Sequence, residues 1–231
     1  MLDTYLETVE RQRKQFTVYS DADASDLTSR LATRNVTVEH RPLPPTGPSP
    51  FVTVRENGEF VGALSLADFR DVLRPPIVRP GDWEGVSAGY RAVLAALEET
   101  VFTALDRRQL LATSREIEDR ALRVGTGTLR VSFQSFSVFS TQLGLYTTLA
   151  AETALDIHVY GRPDWTPPAV ENITYHGTDS LAAFWCLAFD GGSERSQACA
   201  LIARETPDGY TGFWSYDPEL VADVLRTLEQ V

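Results

Sequence analysis

Lysine is nearly missing from this chain. Of its 21 basic residues only Lys14 is a lysine, while 32 acids bring the net charge to -11. A carboxylate surplus on an almost lysine-free surface suits a protein kept hydrated at high salt, so a halophilic source is expected. High genomic GC would replace Lys with Arg but would not create the acidic surplus. The same balance argues against direct nucleic-acid binding, because phosphate contacts need a basic face, and only a local Arg patch would serve. Cysteine is scarce too. Cys186 and Cys199 lie in apolar runs, fit neither a metal spacing nor a C-x-x-C pair, and read as buried reduced thiols. The three histidines, His40, His158 and His176, are scattered and give no metal framework. No run of about 18 apolar residues occurs, so no membrane span is expected. The opening MLDTYLETVERQRKQF carries acids early and is not a signal peptide, which makes the cytoplasm the expected compartment. Catalytic signatures are missing as well: there is no Gly-x-Ser-x-Gly elbow or Walker loop, and GTGT at 125–128 follows a helix where a phosphate loop would feed one. No motif implies a cofactor.

What is there is an alternation of helical and strand-like segments, long enough at 231 residues for one generous core or two smaller ones. The spacing predicts a helix over 3–14 with Leu2, Leu6 and Val9 on one stripe, a strand at 16–19, a helix from Ser25 to about Asn35, and a strand at 36–40. RPLPPTGPSP (41–50) is a stiff connector. Apolar runs then flank Asn57-Gly58, whose ease with positive φ predicts a type I′ hairpin, and Ser65 caps a short helix stopped by Pro75-Pro76. A helical stripe runs through Val86, Tyr90, Val93, Leu94, Leu97, Val101, Phe102 and Leu105. Asp106, with Gln109 as its capping-box partner, opens a second stripe at Leu110, Leu111, Ile117, Ala121 and Leu122, ended by Gly125. These two helices either pack on a sheet or form a dimer seam over 86–124.

From Thr128 the period shortens. Leu129, Val131 and Phe133 alternate with Arg130, Ser132 and Gln134; helical spacing follows at Phe139, Leu143, Tyr146 and Ala150; Leu155, Ile157 and Val159 return to strand. Strand–helix–strand at this length implies a right-handed parallel crossover. A weak strand near 173–176, an antiparallel pair at 181–190 and 197–205, a last strand at 210–216 and a helix capped by Asp217-Pro218-Glu219 complete the chain. The expected class is α/β with a mixed sheet: an N-terminal α/β unit over 1–76, a connecting bend and helix over 77–105, and a C-terminal mixed parallel and antiparallel sheet flanked by helices over 106–231.

The elements DRRQLLATSREIEDRALRVG, VSFQSFSVFS, DIHVYG, FWCLAFDGG, ACALIARE and GFWSYDPELV, in that order and spacing, resemble a DICT domain over about residues 100–231. The region upstream resembles the N-terminal part of stand-alone haloarchaeal DICT proteins. The resemblance implies a non-catalytic sensory module that works with signalling proteins such as two-component or transcription regulators, in trans here because no output domain is attached. VTVRENGEFVGALSLADF also resembles part of a cystathionine-β-synthase-type nucleotide-binding repeat, but its companion repeat is missing, so a scaffold role is the better reading.

Binding candidates combine polar and aromatic groups at strand ends and loops: Gln134, Tyr160, Asp164, Trp165, Trp185, Trp214 and Tyr216. Gln134 and Tyr160 would orient a ligand and the indoles would stack on a planar group. Against this, Trp185 and Trp214 at alternating strand positions also fit a core, and Trp165, in a proline-rich loop, fits a lid or a surface staple. Ser114, Arg115, Glu116, Glu118 and Asp119 form a charged stretch that reads as a solvated face or as a partner-docking surface. Three functions compete: a ligand-binding sensory module, an interaction module without ligand, and an enzyme using Asp/Glu chemistry, the last expected least.

Overall fold

The computed structural model describes residues 2–10, 14–21, 31, 34–44, 46–72, 102–105, 107–207 and 209–231. The helix predicted from Ser25 to Asn35 and the stripe from Val86 to Val101 lie almost wholly outside these residues.

The first described helix, α1 (Asp3–Glu10), ends before Lys14, which instead opens β1 (Lys14–Ser20). The helix predicted to residue 14 is thus shortened. β1 sits between β2 (Thr37–Pro42), parallel to it, and β3 (Phe51–Glu56), antiparallel, and β4 (Glu59–Ser65) completes a sheet in the order β2-β1-β3-β4. The β3–β4 hairpin turns at Asn57 (φ 50°) and Gly58 (φ 84°), the positive pair a type I′ turn demands. Ser65 Oγ accepts hydrogen bonds from the amides of Ala67 and Asp68 and so caps α2 (Leu66–Val72).

Phe102–Leu105 is not helical. It forms β5, the edge of a seven-stranded sheet, against β11 (Gly209–Ser215). Pairing with β11 overrides the helical spacing of Phe102 and Leu105, a short apolar run that fits either period. α3 (Arg107–Val124) follows, then β6 (Thr126–Ser135), the short α4 (Phe136–Ser140), α5 (Leu143–Glu152) and β7 (Ala154–Arg162). β6 and β7 are parallel, as the crossover predicts. β8 (Ile173–Gly177) continues the parallel part, while β9 (Phe184–Phe189), β10 (Cys199–Thr206) and β11 are antiparallel, giving the order β5-β11-β10-β9-β6-β7-β8. α6 (Pro218–Glu229) starts on Asp217, whose carboxylate accepts from the Glu219 amide at 2.9 Å. The fold is α/β with mixed sheets.

Alternation along β6, β9, β10 and β11 gives the second sheet two apolar faces. Leu129, Val131, Leu187, Leu201 and Trp214 belong to one cluster with Ile117 and Tyr146, and that cluster is continuous with Phe16, Val18, Val52 and Val54 of the first sheet. Cys186, Ala188, Ile202 and Phe213 face the other way, toward Val221, Val224 and Leu228 of α6. The α1 stripe joins this second cluster: Leu2, Leu6 and Val9 are buried there, Tyr5 is hydrogen-bonded to Thr227 at 2.9 Å, and Arg204 donates to Asp3 at 2.7 Å. α1 therefore leaves the unit expected over 1–76 and covers the far face of the second sheet.

Residues 112–119 are all buried, around the whole circumference of α3. This supports core packing over a dimer seam for that part of the helix. It also corrects the reading of Ser114, Arg115, Glu116, Glu118 and Asp119 as a solvated face: their exposures are 2%, 9%, 2%, 2% and 1%. Partners within α3 and from distant segments make that burial tolerable.

Candidate functional site

Between α3 and the second sheet lies a cavity of about 260 Å³. Its floor is a cross-strand pair, Phe133 on β6 directly opposite Trp185 on β9, continued by Leu187. α3 contributes Leu111, Ser114, Arg115 and Glu118, spaced by three and four residues so that they share one side of the helix. The turn between α4 and α5 contributes Gln142, and α5 contributes Tyr146. Arg107 and the cross-strand partners Glu205 and Tyr210 add to the lining, with Ser132, Gln134, Val138 and Thr141.

A buried polar network closes one side. The Arg115 guanidinium donates to Glu118 Oε2 at 2.5 Å and to Gln142 Oε1, and the Tyr146 hydroxyl donates to Glu118 Oε1 at 2.7 Å. Arg115 thus ties α3 to the α4–α5 turn. Burial pushes the Glu118 carboxyl above the ordinary glutamate value, against the opposing pull of Arg115 and of the two hydrogen bonds it accepts. Burial, and then the neighbouring Glu118 charge, push the Tyr146 phenol well up. The Trp185 indole N–H donates to Ser114 Oγ at 3.0 Å, and Ser114 Oγ donates to the Leu110 carbonyl at 2.9 Å. Trp185 and Tyr210 meet edge to face, centroids 5.9 Å apart, and the Arg107 guanidinium lies 6.0 Å from the Trp185 ring. Ser114, the cavity's inner hydroxyl, is held by an indole and a carbonyl, neither of which is a base able to activate it. An aromatic floor with a few oriented polar groups is suited to binding.

Of the residues singled out from sequence, Gln134, Trp185, Ser114, Arg115 and Glu118 come together here. The others lie elsewhere. Trp214 is a core residue, 2% exposed, with the Arg34 guanidinium 5.0 Å above its ring; burial lowers the Arg34 pKa to about 10. The Tyr216 hydroxyl donates to Glu116 Oε2 at 3.2 Å, and Arg120, paired with Glu116, stacks 4.0 Å from the Tyr216 ring. Asp119 pairs with Arg123. Tyr160 lies on the opposite face of the sheet, accepts from Arg130 at 2.5 Å and stacks on His176 at 4.5 Å. Asp164 is exposed and accepts from the Ser137 amide and hydroxyl at 2.9 and 2.6 Å, bonds that hold its carboxyl below the usual range. Trp165 is exposed in its loop and does not line the cavity.

Two histidines far apart in sequence are neighbours in the fold. His158 Nδ1 lies 2.9 Å from His176 Nε2, and His158 Nε2 lies 3.0 Å from Asp156. Burial, then the neighbouring His158, lower the His176 pKa. Among the described residues no group of side chains is arranged to hold a metal ion.

Sequence reasoning missed Arg107, Gln142, Tyr146 and Tyr210 as cavity residues. Tyr146 had a signal: a tyrosine in an apolar helical stripe needs an acceptor for its hydroxyl once buried, and Glu118 supplies it.

The sequence pattern of these elements matches a family profile over residues 91–206, described as the sensory domain in diguanylate cyclases and two-component systems, DICT. The chain belongs to the DICT family. The matched span contains α3 through β10, and so most of the cavity wall; of the residues named as lining it, only Tyr210 lies beyond the match. Among solved structures, a polyphosphate kinase from Porphyromonas gingivalis is similar at 13% identity and a TM-score of 0.39, with 99% of this chain and 48% of that chain covered. The DICT chain thus spans about half the length of that kinase, and the likeness is too slight to bear on fold or activity. No curated protein matches. No described helix is long and apolar enough to cross a membrane.

Proposed function

We propose that this DICT protein is a non-catalytic receiver of a small-molecule signal, which it takes up in the cavity between α3 and the sheet and passes to a signalling partner in trans. The observation that carries this reading is the tie made by Arg115, which joins Glu118 on α3 to Gln142 at the start of α5 across the cavity wall. A ligand that takes over one of these hydrogen bonds changes how α3 and α5 are held together, and that differential contact is what a sensor needs. The partner is a two-component or transcription regulator, the first in keeping with the family's description. The deep burial of Trp214 favours an interaction module without ligand, since it removes one of the indoles expected in a pocket. The cavity over Trp185 and Phe133 outweighs it.

The reading is tested with the small-molecule fraction of the source cells. That fraction should raise the melting temperature of the wild type by roughly 5–10 °C at saturating ligand. Leu111→Trp, which fills the cavity from α3, should show no such rise. Gln142→Leu is a second variant should Leu111→Trp fail to fold. An equal rise in wild type and variants, or no rise in the wild type, contradicts the cavity as the receiving site.

A further inference from the structure

From the lining of this cavity we infer the class of molecule it takes: an uncharged, planar, fused two-ring heteroaromatic carrying a ring-amide edge. The inference rests on the cavity being the receiving site.

Size comes first. An apolar cavity of about 150 Å³ accommodates one benzene ring, so a space of about 260 Å³ accommodates two fused rings.

Shape follows from the floor. Phe133 and Trp185 are directly opposed on antiparallel strands, with Tyr210 edge-on to the indole. Such surfaces take a flat ring by stacking or edge contact.

Charge decides the rest. Arg107 and Arg115 are matched by Glu118 and Glu205, so the formal charges of the lining cancel. An anion placed against Arg115 would also lie beside Glu118, which already holds that guanidinium at 2.5 Å, and a cation seeking Glu118 would meet Arg115. At this buried pair either ion would be desolvated beside a like charge without gaining an unshared partner, whereas Arg107 and Glu205 are exposed and keep their water.

The polar groups set the edge. The carboxamide of Gln134 makes no hydrogen bond among the described residues, and Gln142 Oε1 is shared only with Arg115. A carboxamide offers a donor and an acceptor side by side, the complement of a ring N–H next to a ring carbonyl. A purely aromatic hydrocarbon would leave the Gln134 carboxamide unpaired, whereas Gln142 is already held by Arg115 and Thr141.

The probes are quinazoline-2,4-dione, naphthalene and 2-naphthoate, titrated into the full chain. The readout is the Trp185 indole N–H resonance, assigned with Trp185→Phe, together with calorimetric affinities. The dione should shift that resonance and bind at least about tenfold more tightly than naphthalene or 2-naphthoate. Gln134→Leu should weaken the dione about tenfold and leave naphthalene binding and the melting temperature unchanged; Gln134→Met serves if that variant does not fold. Tighter or equal binding of naphthalene or 2-naphthoate overturns the ligand class while leaving the cavity in use, because Trp185 responds. No response of Trp185 to any of the three overturns the ligand class. The cavity reading itself is tested separately, and falls if the melting response to the cell fraction is missing or is insensitive to Leu111→Trp.

Discussion

Replacing Arg115 with Met is expected to cost about 3–5 kcal/mol of stability at neutral pH, because it leaves the Glu118 carboxylate buried without its cation. The Glu118 side chain is 3% exposed and that of Arg115 11%, so solvent offers little relief. The pH dependence gives the effect a signature. The Glu118 carboxyl already sits above its ordinary value of 4.5 in the folded state, through burial, and loss of Arg115 raises it further. A carboxyl raised on folding binds its proton more tightly in the native state than in the unfolded chain. Its stabilising contribution is therefore complete below the unfolded value and is lost as pH rises through the folded one. Arg115→Met should accordingly recover stability on acidification, and urea unfolding of wild type and variant at neutral and mildly acidic pH measures the recovery. The double variant Arg115→Met/Glu118→Leu should recover part of the loss at neutral pH, since removing both charges removes the unpaired one, and should stay below the wild type because the buried Tyr146 hydroxyl loses its acceptor. An Arg115→Met cost that does not change with pH would contradict this account of the pair.

Gly192→Ala should be nearly as damaging, through the backbone. Gly192 has φ +54°, and a Cβ there would run into the Thr126 carbonyl. Gly127, at φ +105°, faces it, with the Gly192 Cα 2.6 Å from where its own Cβ would stand. The two glycines let the loop after β9 close against the start of β6, where the Asp190 carboxylate also accepts from the Gly192 amide at 2.8 Å. A left-handed alanine costs about 1–2 kcal/mol, and the clash with backbone that cannot swing aside adds about 1–3 kcal/mol. Chemical denaturation of Gly192→Ala beside Gly144→Ala, a position with open space around it, measures the difference. Similar midpoints for the two variants would show that the loop yields.

These two sites show what was legible in the sequence and what was not. Local chemistry was legible: Asn57-Gly58 turns the hairpin it predicted, Ser65 and Asp217 cap the helices they were expected to cap, and alternation at Leu129, Val131 and Phe133 marks β6, an inner strand of the second sheet. Each of these follows from backbone preferences acting over a few residues. The partners of charged helical residues were not legible. Glu118 and Glu116 look like surface acids until Tyr146 and Tyr216, 28 and 100 residues away, bring hydroxyls to them. The stripe of α1 showed that the helix packs on something, but periodicity carries no address, and its partners proved to be the far face of the second sheet and α6. Phe102 and Leu105 fitted a helical period that edge pairing overrode. The cavity was half visible: Gln134 and Trp185 were singled out as polar and aromatic residues in a strand pattern, whereas Tyr160 fell on the opposite face and Trp214 into the core.

Native mass spectrometry of the full chain, purified gently from its own cells, tests the receiving cavity most directly. The account predicts a reproducible added mass of one small uncharged molecule on the wild type, absent from Leu111→Trp isolated in parallel. A clean unliganded mass for the wild type, repeated under mild isolation in the salt of the source cells, would contradict it and leave the protein-interaction reading in its place.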